Sequence, residues 1–139
     1  MRLATLLWIA AAGMAAAASS PSGAEIVNLD EAQWSYEKGS SDGSAGVLLH
    51  SDEKTGGIDL LVRQPAGNVI APHYHDSNER IIVVEGQLTL HLESGDKFIK
   101  AGGFAFLPAR EVQRLSCGAA SRCTFYLSWD GKPASHKVE

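Results

Sequence analysis

The chain reads as all-β, a sandwich or barrel built from short strands. Three observations carry that reading. Short segments of strand character follow one another from residue 46 to 129, broken by turn signals at 54–57, 85–86, 94–95 and 102–103. Within 87–93, Leu88, Leu90 and Leu92 alternate with Gln87, Thr89, His91 and Glu93, the period of a strand with one buried face. No heptad pattern and no internal repeat competes with this.

Taken in order, residues 1–24 have the form of a signal peptide. Arg2 gives the basic start, 3–18 are apolar and Ala-rich, and small residues fill 19–24. Ser22 and Ala24 make a small-x-small site, so cleavage after Ala24 would begin the mature chain at Glu25; Ala16 and Ala18 offer a second site. The apolar run is shorter than the roughly 20 residues of a good spanning helix. No lipobox cysteine follows. The expected destination is periplasmic or secreted, with no membrane association after cleavage. The remaining 139 − 24 = 115 residues suit one domain with a modest core.

Residues 25–45 are expected to form an N-terminal strand at 26–29 and a flexible polar loop around 39–44. The barrel spans 46–130, with strands at 46–50, 58–64, 68–71, 72–75, 80–84, 87–92, 97–100, 104–107, 112–117 and 124–129. Residues 81–84 are apolar on both faces, which predicts cover from another sheet or a partner subunit. Residues 131–139 read as a polar, disordered tail carrying His136. The net charge of -4 and the lack of a basic run exclude a nucleic-acid surface.

The chemistry concentrates between Gly67 and Gly86, in the spacing G-x5-H-x-H-x3-E-x6-G. On a strand His73 and His75 point the same way and Tyr74 the other. After a bend at 76–78 the chain re-enters a strand, which returns Glu79 beside the imidazoles. Two imidazoles and a carboxylate suit one divalent transition metal: Fe, Mn, Ni, Cu or Zn.

This stretch resembles the first signature motif of the cupins and matches it at every fixed position. The second cupin motif, G-x5-P-x-G-x2-H-x3-N, is only partly matched. Gly95 and Gly103 stand in place, Ala101 replaces the proline, and Gln113 follows Pro108 and Ala109 where the family carries histidine. The resemblance covers roughly Val47 to Trp129. It implies a double-stranded β-helix, or jelly roll, and a homodimer in which residues 26–29 are a candidate contact. It also implies a metal held by His73, His75 and Glu79. Gln113 is either a weaker fourth ligand through its amide oxygen or a partner to metal-bound water or substrate.

Two functions fit. One is a metal-dependent enzyme, dioxygenase- or isomerase-like, acting on a small chelating substrate through an open coordination position. The other is a non-catalytic module that binds or senses a small molecule or metal. Other polar and aromatic residues are assigned structural roles: His91 on a solvent face, Arg63 exposed, Trp34 and Trp129 in core or dimer contacts, and one of Phe125 and Tyr126 toward the cavity. His50, at a strand end, is left ambiguous. Cys117 and Cys123, at the ends of two strands, can form a disulfide if those strands pair as a hairpin. An oxidising compartment would preserve it.

Overall fold

The computed structural model describes residues 23–36 and 42–139. The expected signal peptide, apart from its last two residues, lies outside this range, as does part of the polar loop. The described residues form eleven strands and no helix: β1 Ser35–Tyr36, β2 Ala45–Ser51, β3 Ile58–Gln64, β4 Val69–His75, β5 Glu79–Glu85, β6 Gln87–Leu92, β7 Gly95–Lys100, β8 Phe104–Leu107, β9 Gln113–Cys117, β10 Cys123–Trp129 and β11 Ser135–Lys137. They pair into two antiparallel sheets, β1-β2-β3-β10-β5-β8 and β11-β4-β9-β6-β7. This is the all-β jelly roll.

The core lies between the sheets. Leu60 and Val62 of β3, Ile81 and Val83 of β5, and Phe125 and Leu127 of β10 face Leu88 and Leu90 of β6 and Leu115 of β9. Period-2 alternation builds it: inward residues of each strand are buried while their neighbours meet solvent or the opposite side. Phe125 is the inward one of its pair, and Tyr126 points outward to bond Asp59 at 2.7 Å. The segments at 68–71 and 72–75 are one strand, β4, whose register to β9 slips between Ile70 and His73. Pro72 sits within that irregular stretch, where its missing N–H removes no ladder bond.

Four expectations need correction. Residues 26–29 do not form a strand; the strand of the N-terminal region is β1. A turn intervenes instead, closed by the Glu31 N–H on the Asn28 carbonyl and the Asn28 amide on Glu31. The 131–139 tail is not disordered, because β11 pairs with β4, His136 opposite Tyr74. Strand β5 is covered on one face only: of the two covers expected for it, no further sheet lies over its outer face among the described residues. Ile81 and Val83 are buried, whereas Ile82 and Val84 are 40% and 44% exposed, beside exposed Phe104 and Phe106 of β8.

The fourth concerns Cys117 and Cys123. They are disulfide-bonded, with Cα atoms 5.8 Å apart, but β9 and β10 do not form a hairpin. The chain crosses from one sheet to the other between them, so the bond ties the two sheets together. Close by, Gly86 adopts φ +80°, and a Cβ there would lie 2.4 Å from the Arg122 carbonyl oxygen. Only glycine fits that turn.

Candidate metal and ligand site

Both sheets contribute to one cavity, at the end of the barrel opposite the disulfide. Strand β4 presents His73 and His75 inward, while Tyr74 stacks outside on His136 at 4.8 Å. Gln113 of β9 lies directly opposite His73 in the ladder and so shares its inward face. The other sheet supplies Glu79 at the start of β5 and, opposite it on β10, Trp129. The four residues expected from sequence therefore converge, though unevenly. His73, His75 and Glu79 line the cavity, and Gln113 stands behind Glu79 and donates its amide N–H to the carboxylate.

The imidazoles are oriented for ligation. Nδ1 of His73 meets the Ala71 carbonyl at 2.7 Å, and Nδ1 of His75 meets the Pro133 carbonyl at 3.0 Å. A carbonyl can only accept, so each Nδ1 carries the proton and each Nε2 keeps its lone pair. This is the backbone bond that fixes the tautomer of metal-ligating histidines. The His75 Nε2 lies 3.8 Å from the nearer Glu79 oxygen, and the two rings stand edge-on with centroids 5.0 Å apart. Trp129 backs His75 at 5.1 Å.

Electrostatics follow from burial. Burial pushes the Glu79 carboxyl up to about 7, against the smaller opposing effect of the Gln113 N–H. Burial, then the neighbouring His73, pushes His75 down to about 4; the Pro133 carbonyl resists. Burial also lowers His73. Both imidazoles are thus neutral near pH 7, the form that ligates a cation. The buried carboxyl faces no compensating positive charge, and the Gln113 carbonyl oxygen is buried without a protein partner. A cation would satisfy both. Among the described residues no group of three His, Cys, Asp or Glu side chains is already drawn into a metal cage. The donor set fits a divalent metal, with Glu79 and His73 needing to converge further.

The rest of the cavity, about 70 Å³ in volume, is mainly apolar: Ile58, Leu60, Val62, Ile70, Leu115 and Leu127 form its walls. Pro133, Ser135 and Lys137 complete it from the C-terminal segment that sequence reasoning had set aside. The one signal for them was weak, a polar run too short to show periodicity.

The remaining histidines lie elsewhere. His50 pairs with Glu25 at 2.5 Å on the surface. His91 bridges Asp96 at 2.7 Å and Ser116 at 2.9 Å on the outer face of its sheet. That bonding order is the one used by hydrolytic triads, but Ser116 sits in a central strand paired on both sides, with Val69 and Thr89. Its ladder leaves no backbone N–H pair free to hold an oxyanion. Arg63 lies outside the barrel, 4.0 Å over the Trp34 ring.

Comparisons with known proteins agree with this architecture. The polyketide cyclase RemF from Streptomyces resistomycificus superposes with a TM-score of 0.67 at 18% identity, over 84% of this chain and 86% of its own. A candidate acetylacetone dioxygenase from Methylibium petroleiphilum PM1 gives 0.68 at 21%, over 84% and 81%. The DMSP lyase DddQ from Ruegeria pomeroyi DSS-3 gives 0.62 at 19%, over 77% of this chain and 61% of its own. At these identities the likeness is one of fold. No curated protein matches the sequence. The family described as ChrR Cupin-like domain matches residues 22–129. The chain is a cupin and belongs to the ChrR cupin-like family.

Proposed function

We propose that this protein is an exported, mononuclear metal-binding cupin that takes a small molecule into its barrel, a chelating one in the enzymatic version of the reading. One observation carries the reading. Two neutral imidazoles, each with Nδ1 committed to a backbone carbonyl, offer their Nε2 atoms to the same cavity as a buried carboxylate. His73, His75 and Glu79 would hold Fe, Mn, Ni, Cu or Zn, and Gln113 would steady Glu79 or add its amide oxygen. Such a metal supplies Lewis acidity or, for redox-active ions, activation of O2 and substrate. The protein's own part is to exclude water with the apolar walls and to keep the imidazoles deprotonated.

Turnover on an enol, diol or phenol is the enzymatic version of this reading, and solved cupin folds that include a cyclase and a lyase support it at the level of fold. Binding or sensing without turnover is the second version. The scarcity of polar groups in the cavity favours it: beyond the three ligands its described lining offers only Ser135, Lys137 and the indole N–H of Trp129. Export is supported by the form of residues 1–24 and by the disulfide, which persists in oxidising compartments. The exposed apolar face of β5 and β8 fits contact with a second copy, giving a homodimer.

The test is elemental analysis of the exported protein, as purified and after reconstitution with each of the five metals. About one equivalent per chain is expected, and His75→Ala should lose most of it. Less than a tenth of an equivalent under every condition would end the proposal.

A further inference from the structure

The C-terminal strand does more than extend its sheet. In the β11–β4 ladder Ser135 stands opposite His75 and Lys137 opposite His73. Residues directly opposite across an antiparallel ladder project to the same face. Ser135 and Lys137 therefore share the inward side with the imidazoles, and both line the mouth of the cavity. His136, between them, faces out and pairs with Asp76 at 2.9 Å. Arg110 also approaches Asp76, at 3.9 Å. Asp76 is thereby engaged by two other side chains, on the outer face. The Lys137 side chain forms no ion pair or hydrogen bond among the described residues. An unpaired ammonium thus stands at the rim of an apolar, low-dielectric cavity, where a charge-assisted bond is stronger than in water.

We infer that Lys137 is the specificity-determining residue of this cavity, and that its ligand is a small aliphatic monocarboxylate. The Lys137 ammonium and the Ser135 hydroxyl hold the carboxylate at the mouth, and the hydrocarbon body lies against Leu60, Val62, Ile70 and Leu115. Orientation follows from placement: Ser135 and Lys137 stand at the mouth and the walls behind them are apolar, so the anionic group is kept at the outer end. Size follows from volume. The cavity of about 70 Å³ is under half of the roughly 150 Å³ apolar cavity that accommodates benzene, so it takes a short chain of a few carbons. This inference rests on the reading of the cavity as a ligand site, and it adds the class of ligand.

Butyrate and its neutral isostere butyramide are the probes. Each is titrated into the full, disulfide-bonded chain at pH 7 and low salt, metal-free and zinc-loaded, followed by amide chemical shifts. Wild type is expected to bind butyrate about 5-fold more tightly than butyramide, the size of a partly exposed ion pair. Lys137→Gln should bring that ratio to about one without changing butyramide affinity, since the mechanism is charge rather than packing. Lys137→Arg should keep the preference. Lys137 is exposed, so both variants should unfold at the wild-type temperature. The metal-free arm separates the two readings. A Lys137-dependent preference there sustains this inference even if no metal is found on the protein. Bound metal with the same ratio in wild type and Lys137→Gln overturns this inference and leaves the metal proposal standing. Failure of both probes to bind wild type in either form also overturns it.

Discussion

Glu79→Gln in the metal-free protein isolates the energetic cost of the candidate site. Folding raises the Glu79 carboxyl from its ordinary 4.5 to about 7, chiefly through burial. A carboxyl whose pKa is raised by folding holds its proton more tightly folded than unfolded. The folded state keeps that advantage below pH 4.5 and loses it as pH climbs through 7. At about 1.4 kcal/mol per pH unit, the gap from 4.5 to about 7 amounts to roughly 3 kcal/mol. Against a total stability on the order of 5–15 kcal/mol this is large. His75 has the opposite sign. Its pKa falls from 6.5 to about 4, so its contribution is present above 6.5 and is lost as pH drops toward 4. Between 4.5 and 6.5 the two slopes oppose one another, and wild-type stability should be nearly flat.

The glutamine variant removes the first slope and leaves the second. Its stability relative to wild type should therefore be greater at pH 8 than at pH 4 by about 3 kcal/mol. The assay is urea unfolding in the presence of chelator, disulfide intact, followed by tryptophan fluorescence; Trp129 stands beside His75 and reports directly. Saturating zinc should reverse the order, because the ionised carboxylate then gains a partner that the amide cannot replace. A relative stability that stays the same from pH 4 to pH 8 would refute the account of a buried, uncompensated carboxyl.

Gln113→His should raise zinc affinity modestly and Gln113→Ala should lower it modestly, measured by competition with a chelator; equal affinity in all three proteins would show that Gln113 is not a ligand. Replacing Cys117 and Cys123 together with serine should cost about 2 kcal/mol on the loop-closure estimate for so short a link, read as a lower urea midpoint; an unchanged midpoint would remove the bond from the stability account. Gly86→Ala should destabilise by more than the about 1 kcal/mol typical of a positive-φ glycine, because its methyl would meet the Arg122 carbonyl; a wild-type melting temperature would contradict this. Phe106→Glu should convert a dimer to a monomer in light scattering, and a wild type that is already monomeric at high concentration would exclude that face as the contact.

The candidate site was more legible than its surroundings. His73, His75 and Glu79 declare themselves through spacing, because alternation on one strand and a short bend are local rules. Gln113 could be placed only by its offset from Gly103 and Pro108, and the ladder puts it opposite His73. The disulfide was foreseen with the wrong geometry. Two strands joined by a small-residue connection look like a hairpin, and nothing local distinguishes that from a crossover between sheets. Residues 131–139 were missed for a related reason. The pairing of β11 is made by backbone groups, which every sequence carries, and its side chains are polar because they face a cavity mouth and solvent. Ile82 and Val84 are the reverse case: apolar residues on an outer face imply cover, and among the described residues no further sheet supplies it, which leaves the partner subunit of the two covers expected.

The position of the Cys117–Cys123 bond has a mechanical consequence. Backbone crossings join the two layers at both ends, and the bond adds a side-chain cross-link at one of them only. At the other end His73 and Glu79 stand on different layers, and the strand closing that end, Ser135–Lys137, has only three residues to unzip. Solvent exchange of amides should therefore be graded along the barrel axis, slowest near Cys123 and fastest at β11. Reduction of the bond should erase that gradient rather than merely shift it. A barrel bound in this way can admit a guest without exposing its whole interior.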